Sequence, residues 1–246
     1  MVSTAHSLPS ARPNVPRSAA AFLVIIAMLA LIKVLVSNVW PAMFVSASQA
    51  KVFQWPFIGA LAVLGMVGVW FAARTGFPET WDPRVPLRDR LAIPAAIGVA
   101  LGIVALLVDR ATGWSALEAA AHGLTTINIA FPASAIIYPG GAAIVDIVYY
   151  LVPIPLLMWL ASLALRARWQ TETFWVIGAL CAAIEPVTQD LGMPGHAGLM
   201  TVMFAQDYAL NLAQVWTFRR AGFGAAVWLR VVFYVAWHII PSALGR

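Results

Sequence analysis

Charge is what this 246-residue chain has least of: Lys, Arg, Asp and Glu together make 10% of the residues, where a soluble domain carries about a quarter. That shortage excludes a water-soluble globule. It also excludes a disordered chain, because 62% of the residues are apolar and too little charge remains to keep them solvated. Cysteine is nearly absent: Cys181 alone cannot close an internal disulfide, and there is no Cys/His ligand string. The four histidines form no HExxH pair, and no glycine-rich loop exists to cradle a phosphate. Ser134 and Ser162 have no histidine nearby in sequence, so no nucleophile and base for hydrolysis stand out. The net charge of +5 sits at the ends of apolar runs, which speaks for membrane topology and against nucleic acid.

Apolar length is what the chain does have. Mean hydropathy is +0.85, and a hydrocarbon core of about 30 Å takes roughly 20 apolar residues to cross. Seven runs qualify: Ala19 to Val36, Val52 to Ala73, Leu91 to Val108, Ala142 to Leu165, a shorter one from Phe174 to Thr188, Leu199 to Phe218 and Phe223 to Ile240. The fold class that follows is all-α, a polytopic membrane helix bundle of about seven transmembrane helices. Placing the N-terminus in the cytoplasm puts ten basic residues inside (Arg12, Arg17, Arg74, Arg84, Arg88, Arg90, Arg166, Arg168, Arg219, Arg220) and only Lys51, Arg110 and Arg246 outside. Residues 1–18 then read as a polar cytoplasmic N-terminus with the first helix as an uncleaved anchor. Residues 19–246 read as a single transmembrane helical domain.

Two connections stand out. The stretch from Thr75 to Arg90, with three prolines and mixed charge, reads as an ordered cytoplasmic loop. The outer segment 110–141 opens on a capping-box pattern, Ser115 to Glu118, that predicts a short helix to about Gly123. Beyond it, residues 125–141 read as irregular backbone, which at membrane depth must be covered by protein or line a cavity.

Ionisable groups inside spans are expensive and are the first functional candidates. Asp146, Tyr149, Tyr150 and Pro153 share one face of the fourth helix. Cys181, Glu185 and Gln189 align on the fifth, Asp207, Asn211 and Gln214 with Gln206 alongside on the sixth, and Arg230, Tyr234 and His238 on the seventh. Four polar stripes predict a shared polar interior. A purely structural ion pair of Arg230 with Glu185 or Asp146 explains part of this set equally well. His196 in the outer loop is a candidate for a metal or proton role. Gly98 and Gly102 on the third helix fit close helix packing.

Three stretches together resemble the A subunit of the copper-dependent membrane monooxygenases, the family of particulate methane, ammonia and short-chain hydrocarbon monooxygenases. They are Ile127-Asn128 with Phe131-Pro132-Ala133-Ser134 ahead of Asp146, Glu185-Pro186 followed by Met193-Pro194 and Gly198-Leu199-Met200, and Phe233-Tyr234 with Trp237-His238-Ile239. The resemblance runs over Gly123 to Arg246; before that it rests on the order of apolar runs. The chain departs from the family in Ser37 to Trp55, which holds no acid where the family carries an acidic, tryptophan-rich loop and leaves only Met43, Lys51 and Trp55 as remnants, and at Pro194-Gly195-His196, which also lacks an acid.

The resemblance implies one subunit of a copper-dependent enzyme of a bacterial cytoplasmic or intracytoplasmic membrane. Such an enzyme oxidises a short alkane, an alkene or ammonia with O2. Two other integral subunits are implied as partners in a trimer of heterotrimers, and the copper is expected mainly in them. This chain would wall the cavity, with Asp146, Glu185, Asp190, Asp207, Arg230, Tyr234 and His238 as proton carriers or orienting groups and His196 as a weak metal candidate. The rival expectation is a stand-alone membrane protein, a transporter or a divergent glutamate-dependent intramembrane protease, using Asp146, Glu185 and Arg230 as its own site.

Overall fold

Leu, Ala, Ile and Val dominate every apolar run, and in hydrocarbon a backbone N–H must find its acceptor within its own segment. Such runs fold as helices. The computed structural model describes residues 15–39, 44, 47–189 and 196–245, and every regular element among them is helical. The chain runs through α1 (Val15–Asn38), the short α2 (Ala47–Val52), α3 (Trp55–Arg74), α4 (Ile93–Thr112), α5 (Trp114–Ala121), α6 (Ser134–Asp146), α7 (Pro153–Ala164), α8 (Gln170–Gln189), α9 (Ala197–Ala221), α10 (Phe223–Tyr234) and the terminal α11 (Ile240–Ala243). π-helical turns at Arg88–Ala92, Ile147–Leu151 and Val235–Ile239 lead into α4, join α6 to α7 and follow α10.

Five helical segments among the described residues are long and apolar enough to cross a membrane: Arg17–Asn38, Trp55–Arg74, Arg88–Thr112, Ser134–Ala164 and Phe223–Ala243. They point to an integral membrane protein. Their outward faces carry exposed Leu23, Val24, Leu31, Val63, Leu64, Leu107 and Leu163, a larger apolar area than a soluble monomer leaves in water. The expected fifth and sixth spans are the helices α8 and α9, 20 and 25 residues long. They have the length but fall outside the apolar set because polar side chains lower their hydropathy, Gln170, Glu172 and Glu185 on α8 and Gln206, Asp207, Asn211 and Gln214 on α9.

Glycine sets the closest approaches. A Cβ on Gly98 would lie 2.5 Å from the Leu229 carbonyl oxygen, and one on Gly102 would lie 2.7 Å from Ala236 Cβ. α4 therefore lies directly against α10 and the turn that follows it, as small residues four apart allow.

Two expectations of irregular or capped structure are corrected. The fourth span begins at Ser134 rather than Ala142, and Pro139, Gly140 and Gly141 lie inside α6. The turn signal is overridden by packing: a Cβ on Gly140 would come 2.7 Å from Ile32 Cδ1 and 3.0 Å from Phe53 Cε1, so bare backbone is what lets α1 close over this segment. Nor does Ser115 cap α5. Gly113 is the N-cap, with φ of 68°, and Ser115 instead gives its N–H and hydroxyl to the Asp109 carboxylate at 2.7 and 2.9 Å. The short helix itself is present, ending at Ala121.

At the arginine-rich end the loop from Thr75 to Arg90 is ordered. The Asp82 carboxylate takes the Arg84 backbone N–H at 2.9 Å and pairs with its guanidinium at 2.7 Å, and these contacts hold its carboxyl below the usual range. The buried Arg90 guanidinium bonds the carbonyls of Asp82 and Val85. Arg220 pairs with Asp89 at 3.0 Å, which ties the loop to the end of α9.

Candidate functional site: a buried arginine and the chamber beside it

A guanidinium inside a bundle survives only if its five N–H donors find acceptors. Arg230, 2% exposed, finds them on three other helices. Nη1 and Nη2 donate to the two Glu185 oxygens at 2.8 and 2.7 Å, a bidentate charge-assisted pair. Nη2 also reaches Asn211 Oδ1 at 2.6 Å and Gln214 Oε1 at 2.7 Å, and Nε reaches Gln214 Oε1 at 2.9 Å. The Asp146 carboxylate lies 3.5 Å from Nε and takes the Gln214 amide N–H at 2.5 Å. Asn211 returns its own N–H to the Ala182 carbonyl at 3.0 Å. Tyr234 and Tyr150 hydroxyls close the shell at 3.3 and 3.5 Å.

The stripes read from the sequence thus converge for Asp146, Tyr150, Glu185, Asn211, Gln214, Arg230 and Tyr234. Not every member of a stripe arrives. The π turn at Ile147–Leu151 widens the helix after Asp146, so Tyr150 joins the cluster while Tyr149 packs with the apolar core. Cys181 is buried in that same core. Gln206 is buried with neither amide atom bonded, and Asp146 Oδ2 is likewise without a hydrogen bond.

Beside the cluster opens a chamber of about 200 Å³, lined by Glu185, Gln189, Asp207, Arg230, Tyr234 and His238 from α8 to the turn after α10, with Trp114 and Glu118 of α5 and Tyr138 of α6. It lies at the end of the bundle opposite the arginine-rich loop, where α8 ends and α9 begins. Tyr138 stacks on His238 at 4.4 Å and 7° between planes. The His238 Nδ1–H donates to Asn128 Oδ1 at 2.6 Å. Ser242 Oγ accepts from the Phe131 N–H at 2.8 Å and donates to the Ile129 carbonyl at 3.2 Å. Residues 128–131 are thereby fastened to the C-terminal helix.

Of the sequence candidates, Glu185, Asp207, Arg230, Tyr234 and His238 line the chamber, and Asp146 lies behind Arg230. Asp190 lies outside the described residues, as do Met43, Met193 and Pro194. His196 stands exposed at the start of α9. Glu118 and Trp114 are functional candidates that the sequence reading missed; a lone acid in an otherwise apolar helix, WSALEAAA, was the available signal. Burial raises the Glu118 carboxyl above its ordinary range, against the opposing pull of His122 and a hydrogen bond to Trp114.

Among the described residues the donors do not fit a copper centre. Glu185 gives both oxygens to Arg230, Asp146 Oδ1 is taken by Gln214 and faces Arg230, and His238 has neither of these carboxylates left to share a metal with. Among the described residues no three His, Cys, Asp or Glu side chains gather as a ligand group.

Comparison of the chain with known protein families, with curated proteins and with solved structures finds no match.

Proposed function

We propose that the chain is a polytopic membrane protein of transporter type that takes a small, positively charged solute into the chamber beside Arg230. The observation that carries this reading is the wall of the chamber: Glu118, Glu185 and Asp207 line it together with one guanidinium, and Asp146 lies behind that guanidinium. Acidic side chains outnumber basic ones in and behind this wall, which favours a cationic solute over an anionic one. Trp114, Tyr138, Phe233, Tyr234 and Trp237 add ring faces for an ammonium group. A volume near 200 Å³ equals that of roughly six or seven waters, which suits a small amine rather than a peptide. A protease reading is weaker, because a carboxylate that gives both oxygens to Arg230 is not free to activate water. In this proposal α8 and α9 also cross, giving seven spans with the arginine-rich loop in the cytoplasm.

The test is thermal unfolding of the purified full chain against a panel of small amines, amino acids and carboxylates. An amine at a hundred times its Kd should stabilise by about 2.7 kcal/mol, and carboxylates should do nothing. Equal effects from both charge classes would overturn the proposal.

A second reading is the A-type subunit of a copper-dependent membrane monooxygenase oxidising a short alkane, an alkene or ammonia. One observation favours it: two of the stretches that carry the resemblance, around Asn128 to Ser134 and around His238, meet through the Asn128–His238 and Phe131–Ser242 hydrogen bonds. In that reading this chain walls a cavity and the copper belongs to partner subunits. Purification from native membranes separates the two. Two co-purifying integral proteins, copper and O2-dependent oxidation support the subunit; a lone monodisperse chain supports the transporter.

A further inference from the structure

At the arginine-rich end a second cavity, of about 420 Å³, lies between the end of α3, α7, the start of α8 and the end of α9. Its lining divides by chemistry. Phe77, Met158 and Phe174 are buried and form an apolar floor, and Thr75, Gln170, Thr171 and Arg219 form a polar rim. The two arginines at the end of α9 have different fates. Arg220 pairs with the Asp89 carboxylate at 3.0 Å. Arg219 packs its guanidinium 4.4 Å above the Phe174 ring and gives Nη2 to the Thr171 hydroxyl at 3.2 Å. Its Nη1 is shut off from solvent and has no partner. Glu172 acts on Arg219 through space only, and among the described residues no carboxylate pairs with it.

Arg219 lines the cavity with no carboxylate among the described residues paired to it, and a guanidinium fork matches a phosphate. α8 begins at Gln170 on this rim, so its first-turn N–H groups, which have no acceptors within the helix, add to the anion-seeking character of the rim. We propose that this cavity binds a phosphate group, with Arg219 and Thr171 as its ligands and Phe77, Met158 and Phe174 receiving an apolar body attached to it. An anionic phospholipid of the facing leaflet supplies both parts; a soluble phosphate compound supplies the first.

The experiment uses the purified full chain. Native mass spectrometry measures retention from an equal mixture of phosphatidylglycerol and phosphatidylcholine, and thermal unfolding is followed with and without inorganic phosphate. The wild-type chain is expected to retain phosphatidylglycerol preferentially. Arg219→Gln should lower that preference roughly tenfold, the ratio carried by one charge-assisted hydrogen bond. Thr171→Val should lower it less, and it carries the test if Arg219→Gln does not fold. Protection by inorganic phosphate alone, lost in Arg219→Gln, supports the site with a soluble ligand. Equal retention of the two lipids without phosphate protection overturns the proposal. So does a loss in Arg88→Gln, at an exposed arginine that does not line the cavity, as large as that in Arg219→Gln.

Discussion

Arg230 holds Glu185 by both carboxylate oxygens, at 2.8 and 2.7 Å, with the arginine side chain 2% and the glutamate 7% exposed. Fully desolvated pairs of this kind often gain little overall, since the cost of taking two charges out of water offsets their attraction. Breaking one is a different matter, because the survivor is left charged and alone. Glu185→Ala or Arg230→Ala should each destabilise the bundle by about 3–5 kcal/mol. The double change Glu185→Leu with Arg230→Met should cost less than either. Thermal unfolding in detergent measures all three, and a double variant at the sum of the singles would refute the coupling.

Glycine gives a sharper steric prediction. Gly102→Val places a Cβ 2.7 Å from Ala236 Cβ and 2.8 Å from the Phe233 carbonyl oxygen, where backbone cannot give way. α4 and α10 must then part, at about 1–3 kcal/mol. Gly59→Ala, inside α3 with nothing within 4 Å, should be neutral or stabilising, by up to about 1 kcal/mol. The same unfolding assay compares the two, and equal losses would place the contact elsewhere.

The sequence made most of this site legible and hid a defined part of it. Asp146, Glu185, Asn211, Gln214 and Arg230 could be gathered in advance because lone polar groups in apolar helices repeat at three- and four-residue steps. The π turns were not visible, since nothing in IVYYL or VAWHI distinguishes i→i+5 hydrogen bonding from the α spacing. They decide that Tyr150 faces Arg230 while Tyr149 does not. Pro139 with Gly140 signalled a turn locally, yet the need to admit Ile32 and Phe53 placed them in a helix. Glu118 reads as a capping partner by spacing alone. Only the fold, by folding α5 over the chamber, brings it beside Asp207 and Arg230.

The loop from Thr75 to Arg90 should respond to acid. Arg84 lowers the Asp82 carboxyl below its ordinary value. A group with a depressed folded value contributes stability above its unfolded value and loses it as pH falls through the folded one. The loop should therefore be closed at neutral pH and loosen in acid. Asp82→Asn should loosen it at neutral pH too. Amide hydrogen exchange over residues 79–90 at pH 7 and pH 3 measures this. Unchanged protection in the variant would mean that the Arg90 bonds to the Asp82 and Val85 carbonyls hold the loop unaided.

Glu118 carries the opposite sign. Burial raises its carboxyl, Asp109 adds to that shift, and His122 and Trp114 oppose it. Its contribution to stability is therefore full below the unfolded value and is lost as pH rises through the folded one, because the ionised form is poorly hydrated in the wall. A cation in the chamber reverses the balance by giving the ionised carboxylate a partner. Amine affinity should then rise with pH across the interval just above the ordinary carboxylate range. Glu185, Asp207, Arg230 and His238 share the chamber, so the slope is assigned by difference. Glu118→Gln should remove the part of the rise that Glu118 carries and bind more weakly at pH 7. Calorimetric titration of wild type and variant at matched pH values measures it. The same slope in both would take Glu118 out of the site and leave Glu185 and Asp207 as its carboxylates.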